Sequence, residues 1–187
     1  MPIGPTPQLR ASMFGRMPVG GADKKKGGGA PAPKGPSGVR IEHRVGIQAP
    51  AEVIWEVIYE LEKWGEWNPL YTQAAGDIRI GGRLDLTVVV PGQPARQLQP
   101  TVLEWVPHEQ LHWRTTMLGG FITTTRYFEI EALAEESCIV SNGEIFGGMM
   151  GPSFARRIGR AMNRGVREMG EALKERSEAL WQARKGA

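Results

Sequence analysis

The sequence predicts an α+β fold in which a curved, seven-stranded antiparallel sheet wraps around one long C-terminal helix. Two observations carry this prediction. Seven segments have the pattern of strands, and the last six follow one another with turns of a few residues, as in an antiparallel meander. Apolar residues then recur every three or four positions from Phe154 to Leu173, which predicts one buried face of a helix.

The first strand is predicted at 39–47, where apolar residues alternate with Arg40, Glu42 and Arg44. A short helix should follow, because Pro50 is tolerated in a first turn. Its apolar stripe consists of Val53, Ile54, Val57, Ile58 and Leu61. A second brief helix or a turn is expected at 64–69.

Six strands are predicted next, at 73–80, 83–90, 95–106, 110–118, 121–132 and 137–146. The pair Gly81-Gly82 indicates a two-residue hairpin between the first two. The last element is a helix over about 152–181, with an apolar stripe of Phe154, Ile158, Met162, Val166, Met169 and Leu173.

The chain has 187 residues and one cysteine, Cys138. This length suits a single domain with a core and a tail. One cysteine excludes an intrachain disulfide framework and a multi-cysteine zinc site, and it favours a reducing, cytoplasmic location. The sequence contains no apolar stretch of the roughly 20 residues that a membrane span needs.

The net charge of +3 conceals three different segments. Residues 1–38 contain 6 basic residues and 1 acidic residue. Residues 39–151 contain 8 basic and 15 acidic residues, and residues 152–187 contain 9 basic and 4 acidic residues. The first segment also contains 9 glycines and 7 prolines. It is therefore predicted to be a disordered tail, 1–38, before a ligand-binding domain at 39–183.

The long helix offers Met162, Met169 and several glycines to the sheet, rather than a dense set of leucines and isoleucines. A curved sheet covered by one such helix leaves space between the two layers. This pattern is typical of a ligand cavity, and it is equally compatible with a loosely packed core.

Four short segments are distinctive: APAEVIW at 49–55, WGEWNP at 64–69, LHW at 111–113 and GEIFG at 143–147. With the element order, they resemble the helix-grip fold of the SRPBCC superfamily. That superfamily includes START lipid-transfer domains, birch-pollen-allergen-like proteins and polyketide cyclase/dehydrase-type proteins. The resemblance covers about 39–180 and implies a hydrophobic cavity between sheet and helix. Related bacterial sequences often carry a histidine where this chain has Arg126, so histidine chemistry there is not implied.

Strand pairing suggests which side chains share the cavity. If Ile130 pairs with Val140, Arg126 lies opposite Glu144 on the same face, where the two would form an ion pair in an apolar groove or near its hydrated end. Aromatic residues are the usual walls of small-molecule sites. The predicted ligand contacts are Trp64, Trp67, Trp113, Arg126, Phe128, Glu144, Phe146, Met162 and Met169.

Catalytic and metal-binding patterns do not emerge from the sequence. His43, His108 and His112 are scattered without a metal-ligand spacing, and His112 is expected on the sheet face opposite Trp113. We therefore predict no catalytic residue, no metal and no cofactor.

The function predicted first is the binding of a hydrophobic or amphipathic small molecule, such as a lipid, quinone, isoprenoid or polyketide-like aromatic. The resemblance also permits a cyclase or aromatase-like enzyme that acts by positioning its substrate. A third alternative is a protein- or nucleic-acid-interaction module that uses the basic tail, although nucleic acid is not the expected partner. The oligomeric state is left open.

Overall fold

A computed structural model describes residues 38–186 of the chain. The tail predicted for 1–38 lies outside these residues, apart from its last position. The elements, in chain order, are β1 (Val39–Ile47), α1 (Ala51–Tyr59), α2 (Trp64–Trp67), β2 (Tyr71–Gly76), β3 (Leu84–Val88), β4 (Arg96–Leu98), β5 (Thr101–Val106), β6 (Gln110–Met117), β7 (Ile122–Ala134), β8 (Ser137–Gly147) and α3 (Gly151–Lys185).

The helices begin and end where the sequence favours it. Pro50 stands immediately before α1, and Glu52 in the first turn complements the positive end of the helix dipole. Pro152 lies in the first turn of α3, while Arg184 and Lys185 lie in its last turn. Five apolar side chains of α1 are buried: Val53, Ile54, Trp55, Val57 and Ile58.

The predicted antiparallel α+β architecture is confirmed, but the single seven-stranded sheet is wrong. Within residues 38–186, eight strands form a five-stranded sheet of order β1-β8-β7-β6-β5 and a three-stranded sheet of order β2-β3-β4. The strand predicted at 95–106 is divided at Pro100, because proline has no N–H for a ladder. Its two halves, β4 and β5, belong to different sheets.

The antiparallel hairpin predicted for the strands on either side of Gly81-Gly82 is confirmed, because β2 pairs with β3. The two-residue turn is wrong, because β2 ends at Gly76 and a longer loop leads to β3. This loop instead joins the two sheets. Gly81 N–H donates to the carbonyl of Val102 over 2.9 Å, and Val102 N–H donates to the carbonyl of Gly82 over 2.8 Å. An isolated bridge pairs Arg83 with Thr101 at the same place. We call this junction the seam.

The core lies between the concave side of the sheets and α3. Met162, Val166, Met169 and Leu173 are buried on the helix, and they belong to one cluster with inward residues of both sheets. The stripe predicted from their spacing is thus the face that packs on the sheet. No helix among residues 38–186 is long and apolar enough to cross a membrane.

Candidate ligand-binding site

A cavity lies between α3 and the two sheets. The empty space is about 630 Å³, including the part that opens to solvent. The three-stranded sheet and its β3–β4 loop contribute Tyr71, Val88, Val90, Gln93, Pro94, Arg96 and Leu98. The five-stranded sheet contributes Thr115, Met117, Thr124, Glu144 and Phe146, and α3 contributes Phe154, Ile158 and Met162.

The mouth of the cavity is formed by its more exposed lining residues. Gln93, Pro94 and Arg96 are exposed on the β3–β4 side, whereas Phe154 and Ile158 are half-buried on the first turns of α3. Deeper inside, the lining is mostly apolar. An amphipathic molecule could therefore enter between the β3–β4 loop and the start of α3.

An ion pair between Arg126 and Glu144 lies in the cavity wall. The predicted strand register is confirmed: Arg126 of β7 faces Glu144 of β8, and Ile130 faces Val140. The Arg126 side chain is only 2% exposed, and its Nη1 lies 3.8 Å from Oε2 of Glu144. Glu144 lines the cavity directly, and Arg126 lies beside it.

The Arg126 guanidinium has few other polar partners. Its Nη2 contacts the sulfur of Met169 at 3.4 Å, and its Cζ lies 5.6 Å from the centre of the Tyr71 ring. Within the described part of the chain, Nε and Nη1 have no hydrogen-bond partner. Because buried donors are nearly always satisfied, a ligand oxygen or an ordered water is the natural partner here.

The electrostatics of the wall follow from its burial. Burial raises the pKa of the Glu144 carboxyl, and this rise is opposed by Arg126 and by a hydrogen bond with Thr124. Burial also raises the pKa of the Tyr71 hydroxyl, so Tyr71 stays protonated. The wall thus combines a carboxyl that holds its proton more tightly than usual, a fixed cation and a phenol.

The nine predicted contacts occupy four different settings. Glu144, Phe146 and Met162 line the cavity. Arg126 lies beside Glu144, and Met169 contacts Arg126, as described above. The remaining aromatic residues do not line it.

Trp64, Trp113 and Phe128 form a fully buried aromatic cluster with Tyr71. The Trp64 ring lies 6.1 Å from both Trp113 and Phe128 and 5.6 Å from Tyr71. The Trp64 indole N–H donates to the carbonyl of Ile58 over 3.0 Å. Since Tyr71 lines the cavity, this cluster packs against a lining residue on the side away from the cavity.

Trp67 lies elsewhere, in a separate surface cleft. Its neighbours there are Glu56, Val57, Glu60, Lys63, Arg176 and Leu180. Its ring nevertheless contacts the buried aromatic cluster, because the ring centroids of Trp64 and Trp67 lie 6.2 Å apart. The structure therefore brings Trp67 to Trp64 but not into the lining of the cavity.

Several lining residues were not predicted. Phe154 and Ile158 belong to the apolar stripe of α3, so helical spacing alone would have found them. Tyr71 lies outside the predicted strands, because the strand after the 64–69 segment is predicted to begin only at residue 73. Gln93 and Pro94 lie on the β3–β4 loop and Arg96 begins β4. Nothing in the local sequence shows that this part of the chain folds over the cavity.

The histidines do not contribute to the cavity. His112 lies on the sheet face opposite Trp113, as expected from strand alternation, but it is buried there between Glu104 and Glu129. His43 lies 3.6 Å from Glu171. Among residues 38–186, no group of three His, Cys, Asp or Glu side chains could hold a metal ion.

A long helix packed on a curved antiparallel sheet, with a mostly apolar cavity between the two, is the architecture of a helix-grip fold. The comparisons with known proteins agree with this class. The chain belongs to the family described as polyketide cyclase / dehydrase and lipid transport, whose model matches residues 38–178. The predicted membership of the SRPBCC superfamily is thereby confirmed. No curated protein sequence matches the chain significantly.

Solved structures of the same superfamily share the fold. The Zhui aromatase/cyclase from a Streptomyces species has a TM-score of 0.61 and 18% identity, over 75% of this chain and 93% of that one. A START superfamily protein from Mycobacterium smegmatis has a TM-score of 0.58 and 18% identity, over 75% of this chain and 98% of that one. Norcoclaurine synthase from Thalictrum flavum, in complex with dopamine and hydroxybenzaldehyde, has a TM-score of 0.56 and 16% identity, over 74% of this chain and 86% of that one.

Proposed function

We propose that this domain binds a hydrophobic or amphipathic small molecule in the cavity between α3 and the sheets. The lipid, quinone, isoprenoid and polyketide-like classes all fit this description. The observation that carries the proposal is the combination of an apolar lining with one buried charged pair, Arg126 and Glu144. Burial of apolar ligand surface supplies affinity at about 25 cal/mol per Å², and the polar wall orients one end of the molecule.

The roles of the proposed site residues follow from their positions. Phe146 and Met162 contact the apolar body of the ligand, and Glu144 contacts its polar end. Arg126, held by Met169 and Tyr71, balances the charge of Glu144 and offers the N–H donors of Nε and Nη1 to a ligand oxygen, directly or through water. Trp64, Trp113 and Phe128 fix the position of Tyr71, while Trp67 contributes only if a ligand extends to the surface cleft.

The first experiment is native mass spectrometry of the freshly purified full chain, which should reveal a co-purified apolar molecule. The second is a fluorescence titration with 8-anilinonaphthalene-1-sulfonate, an amphipathic aromatic probe. Ile158→Trp places a large ring at the mouth and should abolish saturable binding, whereas Ile80→Trp, the same change at an exposed surface position, should not. Circular dichroism checks that both variants are folded. Equal probe binding by the two variants would contradict the proposal.

A cyclase-like reaction is the second candidate, and Glu144 is the observation that favours it. A carboxyl at the cavity wall whose pKa is raised by burial can exchange a proton with a bound substrate. In such a reaction, an enolisable CH₂ loses a proton and forms a carbon–carbon bond to a ketone of the same chain. This bond closes the ring, and the ketone oxygen takes up a proton to become a hydroxyl. Loss of that hydroxyl with a proton from the neighbouring carbon then releases water and forms a carbon–carbon double bond.

This candidate is tested with a linear polyketide thioester analogue. Glu144→Gln should lower turnover at least tenfold with unchanged probe affinity if the carboxyl moves the proton. Turnover that survives Glu144→Gln but fails in Ile158→Trp would instead indicate catalysis by positioning alone. Absence of turnover in the wild-type protein, with probe binding intact, would leave the domain a binding protein.

A further inference from the structure

Four large apolar side chains are exposed together at one end of the molecule. Leu118 and Phe121 belong to the β6–β7 loop, and Met149 and Met150 belong to the β8–α3 loop. Met149 is 78% exposed and Leu118 is 64% exposed. The two loops are tied together, because the N–H of Met150 donates to the carbonyl of Phe121 over 2.9 Å. We call these four residues the apolar tip.

The apolar tip lies next to the mouth of the cavity. Met117, which lines the cavity, directly precedes Leu118. Phe154, another lining residue, donates its N–H to the carbonyl of Met150 over 3.0 Å. A surface that covers the tip would therefore also face the entrance.

The charge around the tip has a single sign. The segments that bound the mouth, 86–103, 110–128 and 145–167, contain no Asp or Glu. Four of their exposed arginines lie at the mouth or on the first turns of α3: Arg96, Arg156, Arg157 and Arg160. Arg114, Arg164 and Arg167 are exposed farther along β6 and α3, and Arg164 pairs with Glu168. Although the acidic residues of the body outnumber its basic ones, the surface next to the apolar tip thus carries arginines.

The backbone at Leu118 adds an independent observation. Its φ is +51°, a left-handed conformation that favours glycine or asparagine and costs other residues about 1–2 kcal/mol. A leucine thus occupies a position where its backbone is unfavourable and its side chain is exposed to water. This is the pattern of a side chain whose contacts lie outside the folded domain.

From these observations we propose that the apolar tip docks the domain onto an anionic phospholipid bilayer, with the mouth of the cavity toward the membrane. Apolar side chains enter the interface while arginines contact phosphates of the headgroups. Two other occupants fit the charges poorly. The protein's own tail, 1–38, and the same end of a second copy are both basic, so either would be repelled. This proposal does not depend on the identity of the cavity ligand.

The test measures binding of the full chain to vesicles by co-sedimentation. One set contains phosphatidylcholine alone, and the other contains equal amounts of phosphatidylcholine and phosphatidylglycerol. We expect binding to the mixed vesicles that weakens with added salt. The double variant Leu118→Asn/Met149→Ser should bind at least tenfold more weakly. Asparagine is compatible with the left-handed backbone, so folding should be preserved.

Two matched controls separate the tip from general surface effects. Leu133 is also exposed, but it lies near the other end of β7, about 36 Å away along the strand. Leu133→Ser should therefore bind like the wild type. Arg156→Gln/Arg157→Gln should bind the mixed vesicles roughly 25-fold more weakly than the wild type, at about fivefold per charge removed. Arg164→Gln/Arg167→Gln, farther along the same helix, should weaken vesicle binding much less.

Several results would overturn the proposal. The first is equal binding of neutral and mixed vesicles, or no binding to either by the wild type. The second is a loss in Leu133→Ser as large as that in Leu118→Asn/Met149→Ser. The third is a loss confined to Lys24→Gln/Lys25→Gln/Lys26→Gln, which would assign binding to the tail. The fourth is a dimer in size-exclusion chromatography that only the tip variant dissociates, with vesicle binding unchanged, which would assign the tip to a second copy. Because probe binding in the cavity is measured separately, failure here leaves the proposed function untouched.

Discussion

Replacing Arg126 by leucine should destabilise the domain in a way that depends on pH. The change removes the cation 3.8 Å from the Glu144 carboxylate and leaves that carboxylate in a buried wall. Removing one partner of a buried ion pair is costly because the other charge becomes uncompensated. A second replacement, Glu144→Leu, removes that remaining charge.

The magnitude follows from the distance and from the ordinary pKa of a glutamate. At an effective dielectric constant of about 20, the attraction at this separation is about 4 kcal/mol. The buried carboxylate can avoid this loss by taking up a proton. From its usual pKa of 4.5, that uptake costs at most about 3 kcal/mol at pH 7 and about 1 kcal/mol at pH 5. We therefore expect Arg126→Leu to lower the free energy of unfolding by about 3 kcal/mol at pH 7, and by much less at pH 5.

The sign of the pH effect is fixed by the folded state. Since the folded pKa of Glu144 is raised, its contribution to stability is complete below the unfolded value and is lost as the pH rises through the folded value. Without Arg126 the folded pKa rises further, so more stability is lost at neutral pH. The variant should thus approach the wild type on acidification.

Urea unfolding, followed by tryptophan fluorescence at pH 7 and pH 5, measures these differences. The double variant Arg126→Leu/Glu144→Leu should recover most of the loss at pH 7, because apolar replacements of buried ion pairs are often neutral or stabilising. An Arg126→Leu loss that is the same at both pH values would refute the argument. So would a double variant less stable than the single one.

Two further changes test the packing. Gly170→Ala should lower the free energy of unfolding by about 1–3 kcal/mol, because its Cβ would lie 2.6 Å from Nδ1 of His43. Gly159→Ala, whose Cβ would have its nearest neighbour 3.8 Å away, should raise the free energy of unfolding by up to about 1 kcal/mol. Equal urea midpoints for the two variants would contradict this. Trp64→Phe should cost about 1–3 kcal/mol in urea unfolding, since it removes the hydrogen bond to Ile58 and leaves a void. An unchanged midpoint would show that this bond and the packing around it contribute little.

Local periodicity was sufficient for most elements of the fold. The apolar stripe of α3 and the alternation in β1 report burial on one face, and each element can be recognised without its partners. The pairing of Arg126 with Glu144 was also predictable, because a short turn joins β7 to β8 and fixes their register.

The division into two sheets was not predictable in this way. It depends on whether β3 and β5 pair along their whole lengths or meet only at the seam, which is a contact between distant segments. A bulge between Val102 and Glu104 also shifts the register of β5 against β6. For the same reason, Trp67 and Trp113 looked alike in sequence, although one lies in a surface cleft and the other in the core.

The seam also determines how the cavity can change its volume. The three-stranded sheet carries Tyr71, Val88 and Leu98 of the lining, yet its junction with the larger sheet is a single bridge with a few backbone hydrogen bonds. Rotation about such a junction leaves the ladders within each sheet intact. We therefore expect bulkier ligands to be accommodated by a rigid-body rotation of the three-stranded sheet about the seam. The same site would then accept molecules of different width.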